Sequence, residues 1–274
     1  MGAWRATVER VALVPTMGAL HQGHISLVDL ARSQAKATIV SIFVNPTQFG
    51  PNEDFTKYPR REAADLAMLE RASVAAAFVP SVPEMYPPGD TMRVDPGVIA
   101  APLEGAARPG HFIGVATVVA KLFEITRPDV ALFGQKDFQQ LRVLQTMARD
   151  RYPAVRVMGC PIVREPDGLA LSSRNAYLTP QQRTAALALS RGLFAAQDAW
   201  SRGTRDPLRL RVRVEEMVKK EPLVALEYVS VADPLTLAEV RLPANRMVIS
   251  LAARVGETRL IDNALLGMDV SELS

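Results

Sequence analysis

The chain has 274 residues, 48% of them hydrophobic, enough to bury a core in each of two domains. Its 32 basic and 29 acidic residues leave a formal charge of only +3, and aromatic residues make up 6%. Those figures argue against the concentrated basic stripe with stacking rings that a nucleic-acid binder needs, so no nucleic-acid partner is expected. One cysteine rules out an internal disulfide framework and, with 3 histidines, speaks against a structural zinc site. The most apolar stretch, Phe112 to Ile125, is interrupted by Lys121 and Glu124, so no membrane span is expected. Met1 to Arg10 has no apolar core of the kind a secretory signal carries, and a cytoplasmic protein is the expectation.

Val11 to Val14 is a short apolar run, followed by Pro15-Thr16-Met17-Gly18 and then by a helical face of Leu27, Val28, Ala31 and Ala35. Thr38 to Val44 and Val74 to Val79 read as further strands, with a helix over Asp65 to Arg71 between them. Pro80 to Pro109, rich in proline and glycine, suits a long excursion over the surface, and a mobile flap is the expectation. Val115, Val118, Val119, Leu122 and Thr126 mark an amphipathic helix stopped by Pro128, and Val130 to Phe133 a buried strand. Asp137 and Gln140 give the next helix a capping-box-like start. The chain turns polar and irregular from Pro161 to Gly168, which places a domain boundary there. Beyond it come a helix opened by Thr179-Pro180, a basic helix from Arg209 to Lys220, and strands at Leu226 to Val231, Met247 to Leu251 and Thr258 to Ile261. The pattern predicts an α/β fold: a Rossmann-like parallel-sheet domain over residues 1–162 and a smaller α+β lid domain over residues 163–274.

Three polar clusters sit where such a fold places chemistry. His21-Gln22-Gly23-His24 lies between the first strand and the first helix, where backbone N–H groups at a helix start can meet a phosphate and two imidazoles can stabilise charge building on it, although the histidines also read as loop and cap residues. Gly134-Gln135-Lys136-Asp137 again follows a strand and precedes a helix. Lys136 there reaches an anion, although alone the segment also reads as a solvated charge beside an N-cap. Leu171-Ser172-Ser173-Arg174-Asn175 combines hydroxyls with a guanidinium, a phosphate grip that equally reads as an ordinary turn. Asn45-Pro46-Thr47-Gln48-Phe49 is by itself a loop leaving the second long strand.

Together these pieces resemble the nucleotidyltransferase-like superfamily. Within it, VPTMGALHQGH, FVNPTQFGPNEDFTKYPR, LEGAARPGHFIGV, ALFGQKDFQQL and GLALSSRNAYL are similar, in order, to segments of the pantoate–β-alanine ligase family. The resemblance implies ATP-dependent condensation of pantoate with β-alanine through a pantoyl adenylate, releasing AMP and pyrophosphate and yielding pantothenate, a coenzyme A precursor. ATP is then a substrate, Mg2+ its companion, and a homodimer the expected assembly. Met17, Gly18, Ala19, Leu20, His21, Gln22, Gly23 and His24 would bind ATP, with His24 and His21 acting on the phosphates. Gly134, Gln135, Lys136 and Asp137 would line the nucleotide, Val163 would meet the adenine side, and Leu171, Ser172, Ser173 and Arg174 would close on the triphosphate. Gln48 and Gln140 would hold pantoate and β-alanine, and Asp65 resembles an acidic position near the ribose or magnesium. Ala64, where relatives often carry an acid, departs from the pattern. The alternative is a nucleotidyltransferase with the same HxGH that stops after transferring a nucleotidyl group to another small molecule.

Overall fold

The computed structural model describes residue 5 and residues 7–273. It divides into two compact units: one takes the chain up to Gly134 together with Gln139–Cys160, the other Gln135–Phe138 with Pro161–Leu273. Sequence order groups Gln135–Phe138 with the residues before them, but their contacts lie with the second unit.

The first unit is built on a parallel sheet in the order β3-β2-β1-β4-β5, with strands Val11–Thr16 (β1), Ala37–Ile42 (β2), Ala76–Phe78 (β3), Val130–Gly134 (β4) and Arg156–Cys160 (β5). β1 and β2 are mostly apolar and buried on both faces, as strands are when helices cover each side of a sheet. Helix α1 (Gln22–Gln34) buries Leu27, Val28 and Ala31 of the expected stripe, and Ala35 becomes its C-cap. Helix α2 (Glu62–Arg71) starts three residues earlier than the periodicity suggests, and β2 and β3 are shorter than their apolar runs. β5 was not legible at all: its sequence is RVMGC, with a glycine and an exposed arginine, and pairing with β4 over Val130–Gly134 makes it a strand.

Pro15 shapes the middle of this sheet. It has no N–H for a ladder, which ordinarily bars proline from a central strand. β1 pairs with β2 along its whole length but with β4 only at Ala12 and Leu13. The strand therefore continues past the proline to Thr16 on one side, while on the other it parts from β4. That parting lies at the switch point, where the strand order turns from β1 outward both ways.

Helix α3 (His111–Thr126) is enclosed on nearly every side, with 12 buried residues, rather than being half-exposed as an amphipathic pattern suggests. Arg127 caps it in the left-handed conformation before Pro128. The proline-rich excursion is fastened along its length: Asp90 pairs with Lys121 at 2.9 Å, Val94 N–H donates to Thr117 Oγ1, and Gln139 donates to Ile99 and Pro102 carbonyls while accepting from Glu104 N–H. Helix α4 (Phe138–Arg151) completes the unit's helices.

The second unit packs helices α5 (Pro180–Ser201) and α6 (Pro207–Lys219) on an antiparallel sheet β6-β7-β8, formed by Val224–Ala232, Met247–Val255 and Thr258–Leu266. Thr179 and Asp206 are the N-caps, each followed by proline at the first helical position. Leu189, Leu193, Leu210, Val214, Met247 and Ile249 form the centre of its core. Among the described residues no helix is long and apolar enough to cross a membrane.

A close backbone approach in the first unit lies at Gly114 of α3, where an added Cβ would stand 2.3 Å from the Thr47 carbonyl oxygen. Ordinary helix propensity favours alanine there by about 1 kcal/mol. The clash is with backbone that has no side chain to swing away, so overpacking of about 1–3 kcal/mol wins. Gly114→Ala should lower the melting temperature by several degrees, and a variant that melts with the parent would show that the 46–48 loop yields without strain.

Candidate active site

The loop after β1 leaves the sheet at its carboxyl edge, beside the parting of β1 from β4, which is where open parallel sheets bind ligands. Met17 to Leu20 form this loop and His21 is the N-cap of α1, so His21, Gln22, Gly23 and His24 are the helix's opening turn. The two histidines cap one another's backbone: His21 Nδ1 accepts from Gly23 N–H at 3.2 Å, and His24 Nδ1 accepts from His21 N–H at 3.2 Å. A ring nitrogen that accepts carries no proton. In their neutral forms both imidazoles therefore hold the proton on Nε2, at the positive end of a helix. The rings lie 4.1 Å apart between centroids.

Two residues of the loop are left-handed, Gly18 at φ +81° and Ala19 at φ +49°. For Ala19, whose Cβ crowds the carbonyl, this conformation costs about 1–2 kcal/mol. Asp65, 2% exposed in the first turn of α2, accounts for its stability: Oδ2 accepts Ala19 N–H and Oδ1 accepts Leu20 N–H, each at 2.8 Å. Hydrogen bonds to a charged acceptor contribute about 1.5–3 kcal/mol each, more than the strain. Both oxygens of the residue expected near magnesium are thus engaged by backbone. Among the described residues no group of three or more His, Cys, Asp or Glu side chains is placed to hold a metal.

Gln48 sits in a single 3-10 turn after β2 and is buried. Its Nε2 donates to Met17 Sδ at 3.2 Å, which joins it to the β1–α1 loop. Asn45, 1% exposed, organises the turn: its Nδ2 donates to Gln48 Oε1 and to the Gly114 carbonyl, and its Oδ1 accepts from Thr47 and from Tyr86 Oη. The Gln48 carbonyl accepts from His111 Nδ1 at 2.8 Å and from Arg108 Nη2 at 3.3 Å. Arg108 forms a two-bond pair with Glu53, 2.6 Å each, and lies 3.0 Å from His111 Nε2. Asn45, Glu53, Arg108 and His111 all fall inside the family-like segments, yet sequence reasoning gave them no role. A polar side chain at the head of an apolar helix, as at His111, was the available signal.

Gly134 ends β4, paired with Cys160, and Gln140 lies in the first turn of α4. Burial pushes the Cys160 thiol upward, the opposite of what a nucleophile needs. In the second unit, Gln135, Lys136 and Asp137 form a 3-10 turn held by Asn263, whose Nδ2 donates to the carbonyls of Gln135 and Lys136 at 2.9 Å while Oδ1 accepts from Gln135 Nε2. Asn263 was not foreseen. Val163 and Leu171 are brought together by the Leu171 N–H to Val163 carbonyl bond, and Ser172 Oγ caps Arg174 N–H at the start of a 3-10 turn through Ser173–Tyr177.

Burial, and secondarily the charge of Arg108, pushes His111 down to about 4 from an ordinary 6.5. The folded state then resists protonation that the unfolded chain accepts. Stability from this group is whole above pH 6.5 and is lost as pH falls through about 4, amounting to about 3 kcal/mol over the interval. Denaturant titrations should show the parent weakening between those pH values more steeply than His111→Gln, and parallel slopes would contradict the assignment.

Comparison with known proteins identifies the family. The family model for pantoate-beta-alanine ligase matches residues 1–265. The pantothenate synthetase of a Roseiflexus species is 56% identical over 93% of this chain and 91% of its own length, and that of Chloroflexus aurantiacus 53% over 96% and 94%. The crystal structure of pantothenate synthetase from Thermus thermophilus superposes with a TM-score of 0.91 at 44% identity, covering 96% of each chain. A pantoate-beta-alanine ligase from Francisella tularensis, complexed with beta-gamma ATP and beta-alanine, gives a TM-score of 0.78 at 36% identity over 98% of this chain and 95% of its own. These relatives do not favour a nucleotidyltransferase that stops at nucleotidyl transfer, and the chain belongs to the pantoate-beta-alanine ligase family.

Proposed function

We propose that the β1–α1 turn receives ATP, that pantoate is activated there as an acyl adenylate, and that Gln48 and Gln140 hold the acid and the amine. The chain, as a member of its family, is a ligase joining pantoate to β-alanine with ATP as substrate. The observation that carries the residue-level reading is the reciprocal capping of His21 and His24 through Nδ1, which sets both imidazoles at the start of a helix beside the sheet's switch point.

A carboxylate oxygen of pantoate attacks the α-phosphorus of ATP. The bond from that phosphorus to the bridging oxygen breaks, and pyrophosphate leaves. Negative charge collects on the phosphate oxygens, and the imidazole donors, the amides opening α1, Lys136 and Arg174 stabilise it. Met17 to Leu20, with Gly134, Gln135, Asp137, Val163, Leu171, Ser172 and Ser173, bind the rest of the nucleotide. The uncharged amine of β-alanine then attacks the acyl carbon, its proton departs, and AMP leaves as pantothenate forms. No protein nucleophile is required, in keeping with the inert Cys160. The described carboxylates provide no cage for Mg2+, so the ion enters on the triphosphate of its substrate, as magnesium commonly does. A homodimer in the cytoplasm, with neither nucleic acid nor membrane as partner, completes the reading.

AMP should appear only when pantoate and β-alanine are supplied together with ATP. His24→Ala and Lys136→Ala should each lower kcat/KM by about 10²–10³-fold, the loss typical of removing one donor to developing charge. Unchanged turnover in both variants would reject the site. Sedimentation of the purified protein, giving one species at twice the chain mass of 29.9 kDa, checks the dimer.

A further inference from the structure

Asp65 lies in a helix remote in sequence from the β1–α1 loop, yet its two oxygens reach two successive loop amides, Ala19 and Leu20. Successive amides converging on one anion after left-handed residues form a nest, a geometry that commonly receives a ligand's phosphate. Here the chain fills it with its own carboxylate. The fit is close on all sides: a Cβ at Gly18 would stand 3.0 Å from Asp65 Oδ2 and 3.0 Å from Ile42 Cγ2. The loop ends directly at His21, whose backbone N–H and imidazole make the reciprocal cap with α1. Any relaxation of Ala19 and Leu20 is therefore transmitted to the position of both imidazoles.

We propose that Asp65 is a positioning residue for ATP: it clamps the left-handed loop so that His21 and His24 present their donors in one fixed geometry, and it does so through the backbone rather than by ligating magnesium. Each Asp65 oxygen already accepts a loop amide and the residue is 2% exposed, so its carboxylate is directed at backbone. The inference rests on the reading that this loop meets ATP, and it separates from that reading because His24→Ala and Lys136→Ala test the site without touching the clamp.

Asp65→Asn keeps the shape but turns one acceptor into a donor facing an N–H. It should raise the KM for ATP about tenfold, leave the KM for β-alanine in place, and leave the concentration of free Mg2+ needed for half-maximal rate unchanged. Adding Ala19→Gly, which adopts a positive φ without a crowded Cβ, should recover at least threefold of the ATP defect. An unmoved KM for ATP overturns the proposal, as does a raised Mg2+ requirement that the second substitution fails to relieve. If Asp65→Asn does not fold, Gly18→Ala gives the reading, since it crowds the clamp while keeping the carboxylate. A raised KM for ATP then supports the clamp, and an unchanged one overturns it.

Discussion

The structure of the first unit depends on the place where β1 stops pairing with β4. Every buried backbone N–H needs a partner, and Pro15 removes one from the middle of the sheet. The chain accommodates this by keeping the full β1–β2 ladder and ending the β1–β4 ladder at Leu13. A gap therefore opens at the carboxyl edge of the two central strands, and the loop after β1 and the end of β4 border it. Left-handed backbone, a buried carboxylate and a helix start then converge at one side of that gap.

Around it, polar side chains hold backbone in place as well as bonding one another. Asn45 spends its amide on one turn and one helix carbonyl, Gln139 on three backbone groups of the proline-rich excursion, and Asp65 on two amides. His111 and Arg108 both address the carbonyl of Gln48. Such buried networks hold geometry firmly because each group left unpaired carries a large desolvation penalty. In the second unit Asn263 does the same for Gln135 and Lys136, fixing the turn from which the lysine projects.

Much of this was readable along the chain. The alternation of apolar runs and helical faces indicated a parallel sheet, and the HxGH cluster falls in the predicted strand-to-helix turn. What escaped was non-local. β5 has no pattern of its own and is defined by β4; α3 extends back to His111 because packing, not periodicity, determines its start; and Pro15 reads as a strand end although the β2 ladder carries the strand to Thr16. Asp65 illustrates the limit most clearly. The family resemblance placed it near the ribose or magnesium, but the partners that define its environment are amides 46 and 45 residues away.

The reciprocal caps of α1 set stability and chemistry against each other. Histidine is not among the preferred N-cap residues; serine, threonine, asparagine and aspartate accept the same amide bonds with a shorter side chain and less entropy lost. A design routine asked only for a sturdier molecule would replace His21 with one of them, and the helix would gain. The exchange would leave the turn without one of its two imidazoles. If His21 serves ATP as proposed, this first turn exchanges a sturdier helix start for an imidazole at the place of reaction.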